Sequence, residues 1–376
     1  MAAASPDVLA GRVARVRAHL RDAQVDALLV SHLPNLTYLT GLRASAGCLL
    51  LAEDRAWLVL DFRYAAAGEA AADRLRGVGA ELLVADRSLE EALADLVRRA
   101  AVGRVGVEAA HLPLRRFEWL RDAFAGSSPA PALVSTERLV ERERAVKGPE
   151  EVAALREGGR RIAAVARDLG RYVRANRSER EVAADLDHAV RLAGFERAAF
   201  DTIVASGPLS ALPHARPTTR ILEPGDPVVL DFGGVYDGYC VDLTRTASVG
   251  PPGSGLERLH VAVLEALQAA LEAVRPGVTA AAVDAAARGA LSRHGLAGAF
   301  GHGTGHGLGL EVHEEPRIGR PVAGQPAARL APGMAFTIEP GVYVPGVGGV
   351  RIEDDVLVTT GGYELLTEAP RSLFVV

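Results

Sequence analysis

Val8, Leu9, Val13, Val16 and Leu20 recur at helical spacing and predict an amphipathic helix over residues 7–23. Short apolar runs follow and predict strands at DALLVSH (26–32), GCLLLA (47–52), WLVLDF (57–62), LLVAD (82–86) and RVGVEA (104–109). An Ala-rich helix is expected from Tyr64, and another over 88–101. Strands alternating with helices imply an α/β layer. The Pro/Ser/Ala stretch SSPAPALVS (127–135) reads as a linker, and a strongly charged helical stretch follows it. Two domains are therefore expected, 1–139 and 140–376.

In the second domain the pattern predicts helices near 149–175, 179–193, 257–274 and 280–294. Pro149 suits a first helical position. Ser178 and Glu181 form a capping box, and Thr279 is an N-cap. Strand pairs are predicted between the helices: 227–233 with 239–249, and 335–344 with 349–359. Helix, helix, hairpin thus occurs twice, as expected of two-fold pseudosymmetry.

The chain has 376 residues, 49% apolar and 24% charged, which excludes a disordered or fibrous protein. Its 42 basic and 47 acidic residues leave a net charge of −5. No nucleic-acid or anionic-membrane partner is expected of such a surface. Cys48 and Cys240 are too few for a disulfide framework or a Cys-rich zinc site. No stretch of about 18 apolar residues is free of charge, so no transmembrane helix is expected. The N-terminus lacks a secretory h-region, and a cytoplasmic protein is expected.

Asp231, Asp242, His306, Glu339 and Glu353 stand out because each sits in an apolar strand pattern or a Gly-rich loop. A two-residue turn at Asp237-Gly238 would put Asp231 opposite Thr244, with Asp242 diagonal on the same face. Glu339 and Glu353 flank a Pro/Gly-rich loop and would pair across it. Carboxylates in apolar strands are costly unless paired or metal-bound. Two divalent cations would cancel four such charges. Oxygen-rich ligands with one imidazole favour manganese, cobalt or iron over a thiolate-type zinc site. The bland alternative, ordinary strand-end acids, is a poor account of four acids in two matching hairpins.

The loop AFGHGTGHGLGLEVHEEPR (299–317) adds His302, His306 and His313. His302 and His306 have zincin spacing, but no Glu follows His302 and the glycine density cannot hold a helix. One histidine is expected to ligate and two to handle protons or oxyanions. His214 lies in the Pro-rich loop LPHARPTTR (212–220). Arg351 precedes Glu353 by two residues, so on a strand it shares that face and could brace the carboxylates bidentately. Asp231-Phe232-Gly233 resembles a kinase metal motif, but no catalytic or ATP loop accompanies it.

The run SALPHARPTTR, VVLDFGGVYDGYCVDLTRT, GHGTGHGLGLEVHEEPRI and FTIEPGVYVPGVGGVRIEDD resembles the Xaa-Pro peptidases, prolidase and aminopeptidase P, of the pita-bread metallopeptidase superfamily. The likeness is dense over 140–376 and looser around SHLPNLTYLTGL (31–42). It implies an α+β fold: a pita-bread (creatinase/aminopeptidase) catalytic domain with a smaller N-terminal α/β domain. It implies that the five ligand residues hold two divalent metals, often manganese, with cobalt, zinc or iron also compatible. Asp242 and Glu353 would bridge them. Glu339 would be the general base, His313 and His214 would contact substrate, His302 would bind substrate and shuttle protons, and Arg351 would orient the site. The implied substrates are small peptides with proline second. A homodimer is implied, with His32 a candidate for completing the neighbour's pocket.

Arg317 resembles the position of a prolidase carboxylate-binding arginine and points to an Xaa-Pro dipeptidase. Aminopeptidase P is the alternative. Creatinase-like hydrolases lack the metal ligands, and methionine aminopeptidase usually lacks the large N-terminal domain. A non-catalytic peptide-docking module would typically have lost ligands, and a nucleotide-binding protein would need a phosphate loop that is missing.

Overall fold

Alternation in the first part of the chain produces a single mixed sheet. Its strands are β1 (Ala27–Val30), β2 (Cys48–Ala52), β3 (Ala56–Leu60), β4 (Ala80–Val84), β5 (Arg104–Glu108) and β6 (Ala132–Thr136). They lie in the order β4-β3-β2-β1-β5-β6 in a computed structural model that describes residues 4–324 and 327–376. The order counts down from β4 to β1 and then up from β5 to β6, so it reverses between β1 and β5, which run parallel. The first helix, Pro6–Asp22, is capped by Ser5 and buries Leu9, Val13, Val16 and Leu20. Val8 is only half-buried.

Residues 132–135, expected in a linker, instead belong to the edge strand β6 on β5. Its prolines stop at Pro131, and a strand can begin directly after a proline because that N–H is not needed. The buried helix Leu33–Thr40 was also not anticipated. Residues 35–40 are all buried, so no polar stripe marks its period. Gly41 ends it at φ +67°. The sheet buries Leu29, Leu50 and Val59 against Leu93, Leu96 and Phe124.

The chain divides into two compact units, Met1–Arg144 and Ala145–Val376. Strands of the second unit are β7 (Arg197–Ala198), β8 (Ile203–Ser206), β9 (Pro227–Tyr236), β10 (Tyr239–Ser248), β11 (Gly305–Gly307), β12 (Glu314–Ile318), β13 (Ala335–Ile338), β14 (Gly341–Val344), β15 (Gly348–Arg351), β16 (Asp354–Val358), β17 (Tyr363–Leu365) and β18 (Phe374–Val375). One sheet has the order β18-β10-β9-β7, with β8 also on β9. The other has the order β12-β11-β13-β16-β17, and β14-β15 form a separate ribbon. Helices Pro149–Arg167 and Glu179–Leu192 pack Leu155, Ile162 and Leu186 against Phe232 and Leu243. Helices Ser254–Ala273 and Ala280–Arg293 pack Leu267, Val283 and Leu291 against Phe336 and Val356. The predicted repeat of two helices and paired strands is present.

The only lysine, Lys147, is buried, and its Nζ lies 3.4 Å from Glu314 Oε2. Among the described residues no helix is long and apolar enough to cross a membrane.

Candidate metal centre

The β9–β10 hairpin turns at Asp237-Gly238, with φ of +48° and +91°, both left-handed as a type I′ turn demands. That turn fixes the register: Asp231 faces Thr244 and Asp242 faces Gly233. The two acids are therefore diagonal neighbours, as the sequence predicts. The second pair is built differently from the two continuous strands expected. Ile338 pairs with Asp354 and Gly341 with Arg351. Glu339 and Glu353 occupy the opposed positions between these ladders, where Pro340 has no N–H for pairing. Freed from their own ladder, Glu339 N donates to Thr304 O at 2.7 Å and Glu353 N to Thr244 O at 3.1 Å. These bonds tie the second acid pair to the histidine loop and to β10.

His306 enters on β11, not on a helix. A Cβ at Gly305 would meet Thr337 O at 1.9 Å, and one at Gly307 would meet Glu315 O at 2.2 Å. Glycine on both sides is what lets β11 pass so close. His306 Nδ1 sits 3.2 Å from Gly307 O. A carbonyl only accepts, so Nδ1 carries the hydrogen and Nε2 keeps its lone pair. Nε2 lies 3.5 Å from Glu339 Oε1 and 3.8 Å from Asp242 Oδ2. Ligand atoms of Asp242, His306 and Glu353 lie within 4.8 Å of one another.

Burial and mutual repulsion dominate the electrostatics. Burial, then Glu353 and Asp231, push the Asp242 carboxyl well above its ordinary range. Burial and then Glu339 do the same to Glu353. Glu339 is pushed by burial up to about 7, against the pull of Arg351. Burial lowers His306 to about 4, so its imidazole is neutral. One oxygen each of Asp231, Asp242 and Glu353 is buried without a hydrogen-bond donor among the described residues. Buried carboxylate oxygens normally find donors. Oxygens with open lone pairs beside a neutral imidazole fit divalent cations.

Arg351 is buried and spreads its fork: Nη2 donates to Asp231 Oδ2 at 2.6 Å, Nη1 to Tyr343 Oη at 2.7 Å and Pro213 O at 3.2 Å, and Nε to Thr244 Oγ1 at 3.1 Å. The expected bidentate brace is thus a single N–H on Asp231, with the rest of the fork holding other groups. Thr244 Oγ1 in turn donates to Glu353 Oε2 at 2.6 Å.

His302 Nδ1 lies 2.8 Å from Gly303 O and its Nε2 3.0 Å from Tyr343 Oη. By the same carbonyl argument Tyr343 donates to His302. Burial holds His302 near 4 and therefore neutral. The His313 ring meets that of His306 edge-on at 4.3 Å, and burial, then His214, lower its pKa. His214 is exposed and close enough to depress both His302 and His313. Arg317 is exposed on β12 and makes no ion pair with the carboxylates among the described residues.

Sequence reasoning missed Tyr343 and Asp355. Asp355 Oδ2 accepts from Asp242 N at 2.9 Å, holding the backbone of a ligand candidate. Its one signal was a second acid next to Asp354 in an apolar strand.

Comparison with known proteins shows the family of the chain. Residues 153–360 match the model of metallopeptidase family M24, and residues 12–146 match the Creatinase/Prolidase N-terminal domain. The chain is 32% identical over 371 residues to the Xaa-Pro dipeptidase of Pyrococcus horikoshii, covering 98% of this chain and 99% of that one. Its structure matches an Xaa-Pro dipeptidase from Bacillus anthracis with TM-score 0.91 and 34% identity, over 98% and 100% of the two chains. It also matches an X-Pro aminopeptidase from Thermotoga maritima with TM-score 0.84 and 32% identity, over 97% and 99%.

Proposed function

The chain belongs to metallopeptidase family M24, and on that premise we propose that it hydrolyses the Xaa-Pro bond of small peptides, as an Xaa-Pro dipeptidase. The observation that carries this reading is the set of buried, donorless carboxylate oxygens around a neutral His306. Asp231, Asp242, His306, Glu339 and Glu353 would hold two divalent ions, manganese first among them because the set is rich in oxygen. Ions bound there supply a Lewis acid and an activated water at neutral pH.

The protein's own groups do the rest. Glu339, whose Oε1 lies 3.5 Å from His306 Nε2, would take the proton of the activated water and return it to the leaving nitrogen. Neutral His313 can donate to a carbonyl oxygen as it gains charge, with His214 beside it at the surface. The one N–H of His302 is held by Gly303 O, so its part is to accept from and orient the Tyr343 hydroxyl. An Xaa-Pro bond offers no N–H for strand-like recognition, so recognition falls to such side chains. Arg317, exposed on β12, would anchor the free carboxylate of the terminal proline.

The test offers manganese-loaded protein Ala-Pro and Ala-Pro-Ala side by side and quantifies the released amino acids. Cleavage of the dipeptide alone is expected. Arg317→Ala should then raise KM for Ala-Pro by roughly 10–100-fold, the loss of a charge-assisted hydrogen bond, with kcat little changed. Equal or better cleavage of the tripeptide would make the chain an aminopeptidase and remove that role from Arg317.

A further inference from the structure

We propose a second, separate metal site in the first unit, formed by His32, His111 and Glu141 and suited to a borderline divalent ion such as Zn2+. Both histidines lie just past the C-terminal ends of adjacent parallel strands. His32 follows β1, and His111 follows β5. β1 and β5 flank the point where the strand order reverses, the place where open α/β sheets bind ligands. Glu141 opens the short helix Glu141–Arg144.

The candidate donor atoms converge. Glu141 Oε1 lies 3.2 Å from His111 Nε2 and 4.0 Å from His32 Nδ1, and the three lie within 4.8 Å of one another. Ligand atoms of a tetrahedral zinc site stand roughly 3.3 Å apart, given Zn–N near 2.0 Å. The two imidazoles stack at 3.5 Å with planes 4° apart. Seating an ion requires the rings to fan apart about their side-chain torsions.

A supporting layer surrounds them. Asn35 Nδ2 donates at 2.7 Å both to Glu141 Oε1 and to Glu108 Oε1. Asn35 Oδ1 accepts from Arg144 Nη1 at 2.7 Å, which fixes the amide orientation. Glu108 Oε2 accepts from His32 N at 2.7 Å and from Ser31 N at 2.6 Å, pinning the backbone that carries His32. Such outer partners are what metal ligands characteristically have. None of these residues belongs to the carboxylate centre. Three ligands from three chain segments leave a fourth position for water, and a bound ion would clasp the C-terminal edge of the sheet.

The test dialyses chelator-stripped full-length protein against Zn2+ and measures retained metal by atomic emission. Wild type, His111→Ala, Glu141→Gln and His306→Ala are compared, each checked for folding by circular dichroism. The expected result is one zinc per chain fewer in both His111→Ala and Glu141→Gln. The loss caused by His306→Ala should add to theirs in the double variants. If His111→Ala does not fold, His111→Asn replaces it. Wild-type zinc content in the folded His111 and Glu141 variants would overturn the site and leave the triad an ion pair.

Discussion

At the scale of single residues, Arg351 carries more of the centre than any one ligand candidate. Its guanidinium joins Asp231, Tyr343, Thr244 and the carbonyl before His214. Lysine keeps the charge but cannot reach four partners from one planar fork. Arg351→Lys should therefore leave the fold intact and weaken metal retention about 10–100-fold, the usual effect of losing an outer partner of a ligand. Competition against a graded chelator measures this, and unchanged retention would remove the bracing role. Arg351 was legible from its two-residue offset to Glu353. Tyr343 was not, because a lone aromatic in a Gly/Val strand reads as core until its hydroxyl is seen between Arg351 and His302.

Among elements, the two hairpins were not equally readable. Asp237-Gly238 dictates a tight turn, and from it the whole β9–β10 register follows by counting. The second pair gives no such turn. Its ladder is broken at Glu339-Pro340, where the proline lacks an N–H, and where the freed amides then bond, on Thr304 O and Thr244 O, is set by tertiary neighbours that no local pattern shows. β6 and the Leu33–Thr40 helix escaped for a related reason: one is a short edge strand behind prolines, the other is buried all round. β11 yields its own prediction. Gly305→Ala would drive a Cβ into Thr337 O and displace His306, whereas a Cβ at Gly301 meets nothing within 4 Å. Gly305→Ala should cost at least about 1–3 kcal/mol of stability and most metal uptake. Gly301→Ala should change neither by much. Melting and metal analysis of both variants decide it, and a neutral Gly305→Ala would mean that β11 can slide.

Taken as a whole, the molecule's stability should depend on pH without bound metal and far less with it. In stripped protein, Glu339 is held up at about 7, and Asp242 and Glu353 are raised as well. A carboxyl raised on folding gives stability that is present below its ordinary pKa and lost as pH climbs through the folded value. His302 and His306, held near 4, act the other way and give up stability on acidification from about 6.5 towards 4. The two effects oppose one another below about 6.5. Above it the carboxylates prevail, so the Tm of stripped protein should fall from pH 6.5 to 8. Divalent metal should abolish that fall by favouring the charged carboxylates. A stripped Tm that rises over this range would contradict the burial of these groups.

The fate of Lys147 bears on how this surface can be handled. With the only lysine enclosed beside Glu314, every positive side chain in the chain's exterior, histidine apart, is a guanidinium. Guanidinium groups keep their charge far into alkaline solution and are poor nucleophiles. Acylating labels, amine-directed cross-linkers and reductive methylation will thus find no side-chain amine to attack on the folded protein. Lys-specific proteolysis has a single position in the sequence to cut, and that position opens only when the second unit unfolds around it.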